Sequence, residues 1–70
     1  MSQWSHILTE AEIEAHFALI FSLDPAFAAT ERAFYETRTT AQLKVIAANS
    51  WNANCPTDYQ LAKSYLALKA

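Results

Sequence analysis

The sequence predicts an all-α protein: a small bundle of about four short helices forming a single domain. Three observations carry this reading. Four helix-start signals are spread along 70 residues. Apolar residues follow each start at three- and four-residue spacing, the period of one helix face. No alternating polar–apolar run is long enough for a strand.

The first start is Thr9 with Glu12, the capping-box spacing in which each side chain satisfies the other residue's free backbone amide. Leu8 and Ile13 stand where a hydrophobic staple would close. Ile13, Phe17, Ile20 and Phe21 recur at helical spacing beyond it, so a helix is predicted over about 10–23. Residues 1–8, with Trp4, Ile7 and Leu8, read as an N-terminal arm or a helical turn.

Asp24-Pro25 opens the second helix. Aspartate caps well, and proline at the first helical position loses only an amide that lacks a partner anyway. Phe27, Thr30 and Phe34, with Leu23 beside them, suggest the buried stripe, leaving Glu31, Arg32 and Glu36 to solvent. The period breaks near Thr37–Thr39. Thr39 with Gln42 then opens a third helix over about 40–51, with Leu43, Ile46, Ala47, Ser50 and Trp51 as its inner face. The chain has no glycine, so an asparagine of the 49–54 segment must supply the left-handed turn that ends a helix. Pro56-Thr57-Asp58 begins the fourth helix, with Thr57 and Gln60 at capping-box spacing. Leu61, Tyr65 and Leu68 form its stripe, widened by Ala62 and Leu66.

Composition narrows function. Apolar residues make up 53% and charged residues 17%, too greasy for a disordered tail. A formal charge of −2 argues against a non-specific grip on phosphate backbones. Without glycine, the phosphate-binding loop and the dinucleotide fingerprint are excluded. The longest apolar run, residues 17–21, is far short of the ~20 needed to span a bilayer. No basic N-terminal flank of a secretory signal is present. Cys55 is the sole cysteine, which points to a reducing, cytoplasmic setting.

Glu12 and His16 stand four apart and can meet on one helix face, but a metal site needs further ligands. Cys55 at a helix start could carry a lowered pKa, yet no orienting base surrounds it. Glu10, Glu12 and Glu14 spread around the helix rather than converging, and helix-start electrostatics accounts for them. No catalytic, cofactor-binding or metal-ligating set is assigned, and no small-molecule substrate or membrane partner is expected.

The bulky apolar content is the least ordinary feature. Nine aromatics accompany the leucines, isoleucines and Val45, more than one small core shelters. Size scaling gives a folded surface of about 4,400 Å², so part of this set is expected outside. Leu19, Phe21, Tyr35 and Val45 are singled out as partner-binding candidates. The expected function is a small interaction module (a regulator, adaptor or inhibitor) that presents apolar and aromatic helix faces to a protein partner or to itself in a homodimer. The alternative is a helix-turn-helix DNA-binding regulator built on residues 40–68. In it Gln42, Asn49 and Gln60 could read bases, although the turn lacks glycine and Lys63 and Lys69 lie late in the reading helix.

Overall fold

The computed structural model describes residues 6–69. Among them, four helices run in the order α1 (Glu10–Leu23), α2 (Pro25–Thr37), α3 (Thr40–Asn52) and α4 (Pro56–Lys69), with no strand. Both threonine capping boxes form. The Glu12 amide donates to Thr9 Oγ1 at 3.2 Å, and the Thr9 amide donates to Glu12 Oε1 at 3.0 Å. Thr39 and Gln42 repeat the exchange at 3.1 and 2.9 Å.

Asp24 serves two helices at once. Its amide closes α1 on the Ile20 carbonyl at 2.7 Å, while its Oδ1 accepts the Phe27 amide and opens α2. Proline at the first α2 position completes that start. Asn54 takes φ 59°, the left-handed conformation expected of an asparagine here. The Asn54 amide donates to the Trp51 carbonyl and the Cys55 amide to the Ser50 carbonyl, the paired bonds of a Schellman motif.

One start differs from expectation. The fourth helix begins at Pro56, so Thr57 already lies inside the first turn and cannot cap it. Gln60 instead sends its Nε2 to the His6 carbonyl at 3.1 Å.

The helices pack as two antiparallel hairpins, α1 with α2 and α3 with α4, joined where α2 lies along α4. Residues 6–8 form a non-helical arm against α4, in line with the arm reading for that part; Trp4 lies outside the described residues. The arm is tied down by Ser64. Its Oγ accepts the Leu8 amide at 2.9 Å and donates to the Gln60 carbonyl, which satisfies a fully buried hydroxyl twice over.

The core holds Ile13 and Phe17 of α1, Tyr35 of α2, Leu43 and Ala47 of α3, and Leu61, Ala62 and Tyr65 of α4. Leu8, Ile20, Ile46, Tyr59 and Leu66 pack partly buried around them. A radius of gyration of 11.6 Å matches the ~11 Å of a compact chain this long.

The α2 helix is rotated from the stripe read in its sequence. Ala28 and Tyr35 are its buried residues, whereas Phe27 is 50% and Phe34 39% exposed. The reason lies in what each side chain meets. Ala28 lines the seam between α1 and α2, where a small residue allows close approach. Tyr35 stacks on Tyr65 with ring centroids 5.6 Å apart, and its hydroxyl donates a hydrogen bond to Asp58 Oδ1 at 3.1 Å. Phe34 is covered instead by the Arg38 guanidinium, 4.7 Å above its ring. Tyr35, singled out from the sequence as a surface residue, is therefore a core residue at 2% exposure.

Candidate interaction surface

Two apolar surfaces border charged groups. The first is a trough along the α1–α2 seam, about 430 Å³ in volume. Ala18, Ala28 and Ala29 line it beside Phe17, with Phe21 standing 56% exposed at its edge. Glu14 and Arg32 close one end. Arg32 Nη1 donates to Glu14 Oε2 at 2.8 Å, and its Nε donates to Glu36 Oε1 at 2.8 Å. The Arg32 bond holds the Glu14 carboxyl below its ordinary pKa, with desolvation opposing it. Beyond this ion cluster lies a smaller cleft of about 210 Å³ that reaches Glu10 and is bounded by Tyr65 and Leu68 of α4.

The second place is the outward side of α3. Val45 and Trp51 are both 58% exposed, with Ala41, Lys44 and Ala48 exposed around them. Trp51 leans on Tyr59, ring centroids 5.0 Å apart. Next to this face Lys44 and Lys63 flank a cleft of about 510 Å³ lined also by Thr40 and Leu66. No carboxylate among the described residues pairs with either lysine.

The sequence-derived candidates separate on this map. Phe21 belongs to the trough and Val45 to the α3 face. Leu19, 66% exposed, lies two residues from Phe21 and hence on a different side of α1, where Leu23 at 82% continues its row. Leu23, Phe27, Phe34, Trp51 and Leu68, which spacing places on core-facing stripes, are all exposed. Only the charge around the trough, Glu10 and Glu14 at i and i+4, hints at the seam in the sequence alone.

The polar candidates also resolve. Glu12 does not meet His16. Both Glu12 carboxylate oxygens lie 3.0 Å from His6 Nε2; the Thr9 amide bond first, and then His6, hold its carboxyl below the usual value. His16 turns inward, edge-on to Phe17, and its Nε2 is buried without a hydrogen-bond partner. No group of three His, Cys, Asp or Glu among the described residues is placed to hold a metal ion. Cys55 is an exposed free thiol beside a hollow of about 250 Å³ lined by Trp51 and Tyr59. No described helix is long and apolar enough to cross a membrane.

No family model matches the chain, and neither a curated protein nor a solved structure matches it.

Proposed function

We propose that this chain is a protein-interaction module that works by presenting apolar helix faces to a protein partner, as a regulator, adaptor or inhibitor, or to itself. The observation that supports this reading is the split of bulky side chains between core and surface. Ile13, Phe17, Tyr35, Leu43, Leu61 and Tyr65 are buried, while Leu19, Phe21, Leu23, Phe27, Val45 and Trp51 are each at least half exposed. Monomers rarely leave such groups clustered in water, and exposed patches of this kind characterise partner surfaces. The accessible surface of 4691 Å² lies slightly above the ~4,400 Å² expected for this mass.

Aromatic anchors in such patches supply most of the binding energy, with neighbouring contacts excluding water. Phe21 at the trough edge and Trp51 on α3 are the anchors assigned here. The α3–α4 pair packs along its length, from Trp51–Tyr59 near the turn to the Lys44–Lys63 cleft at the far end. In the alternative reading, a helix-turn-helix DNA-binding regulator on residues 40–68, Lys69 would have to leave the Glu36 and Arg38 carbonyls to meet a phosphate.

The test is capture of cellular protein on immobilised wild-type chain against Phe21→Glu and Trp51→Glu, each checked for an unchanged circular dichroism melt. Loss of a captured partner in either folded variant is the expected result. Equal capture by all three overturns the reading.

A further inference from the structure

We infer that the partner of the α1–α2 trough is the outward α3 face of a second copy, so that the chain associates with itself head to tail. This rests on the interaction reading above and names its partner.

Charge complementarity between two apolar faces of one molecule carries the inference. Every glutamate of the chain lies within residues 10–36, and every lysine within residues 44–69. Along α1, Glu10, Glu14 and Phe21 fall at i, i+4 and i+11, one side of a helix. The trough therefore runs from an acidic end to an apolar one. Its one cation, Arg32, is already shared between Glu14 and Glu36. The α3 helix has no Asp or Glu; Lys44 is its only charge. Val45 and Trp51 project from its exposed side among alanines.

Shape agrees with charge. On α1 the trough is lined from Glu14 to Phe21, about 10 Å at 1.5 Å per residue, and Val45 and Trp51 stand about 9 Å apart along α3 by the same rise. Alanines on both sides allow helices to approach closely, in the manner of an amphipathic helix laid in a groove. A standard interface needs about 800 Å² from each partner, roughly a sixth of the 4691 Å² available. Because two different patches meet, the contact is heterologous and propagates unless its rotation closes a ring.

Sedimentation across the micromolar range tests this with three preparations. Wild type should sediment heavier than 7.9 kDa at about 50 mM salt, and about 500 mM salt should weaken its association. The trough variant Phe21→Lys and the α3 variant Lys44→Glu/Val45→Glu, both altered at exposed positions, should each remain monomeric. Mixed in equal amounts they should form a 1:1 pair and stop there, since one keeps an intact trough and the other an intact α3. Circular dichroism confirms folding of each, and Lys44→Glu alone, which leaves the apolar groups in place, should weaken association by about tenfold, ~1.4 kcal/mol.

A monomeric wild type, or a mixture that stays unpaired, overturns the proposal. If a monomeric wild type still captures a cellular protein in a Phe21-dependent manner, the head-to-tail contact falls and the interaction reading survives. If capture is also independent of Phe21 and Trp51, both fall.

Discussion

The Tyr35 hydroxyl donates to Asp58 Oδ1 across 3.1 Å, joining α2 to the first turn of α4 at the edge of the core. This bond is what allows a tyrosine to occupy a buried position on α2. Burial first, and then the Asp58 carboxylate, keep the hydroxyl protonated far above its ordinary range. Tyr35→Phe should therefore destabilise by about 1–2 kcal/mol, since the part-buried Asp58 carboxylate loses its donor. In a thermal melt each kcal/mol appears as roughly 4–8 °C at this size. An unchanged melt would mean that Asp58 finds water instead.

Glu31 responds to pH in the opposite sense from most surface carboxylates. Burial, reinforced by Asp58, raises its pKa, and His16 opposes this. A raised carboxyl contributes stability below its ordinary value and loses it as pH rises through the folded one. Glu31→Gln should thus be more stable than wild type at about pH 7 and equal to it at about pH 3. Urea titrations at the two values check the sign, and a deficit at neutral pH would refute it.

Asn54 is the one described non-glycine residue with positive φ. Asn54→Ala should cost about 1 kcal/mol, because a plain Cβ disfavours the left-handed region. Asn54→Gly should be neutral or mildly stabilising, as glycine is the usual residue there. Chemical denaturation of the pair separates a backbone effect from a lost side-chain contact, which would harm both variants alike.

Ser64 links the N-terminal arm to α4. Ser64→Ala removes the acceptor of the Leu8 amide and should cost about 1–2 kcal/mol. Hydrogen exchange at Leu8 should accelerate in step with that loss, while amides of α3 change only through global stability. Equal protection of Leu8 in both proteins would show that the arm is held by other contacts.

The helix ends were legible because caps are local. Thr9 with Glu12, Asp24 with Pro25, Thr39 with Gln42 and the asparagine turn each depend on residues a few positions apart. What the sequence concealed was rotation. In α2, spacing favours Phe27 and Phe34 as strongly as it does Ala28 and Tyr35. The choice is made by Asp58 and Tyr65, which reach α2 only through the fold. The pairing of Glu12 was hidden for a related reason, since His6 precedes the helix and its placement follows the arm. Exposure of Leu19, Phe21 and Val45 could be guessed from surplus bulk. Their distribution over three separate sides could not, because it depends on which helices become neighbours.

The double duty of Asp24 has a mechanical consequence. One residue ends α1 and begins α2, so no loop separates the two helices. The channel formed by Ala18, Ala28 and Ala29 lies between two helices joined by that one residue. Occupying it requires no loop to be ordered, which removes one of the main entropic penalties of association.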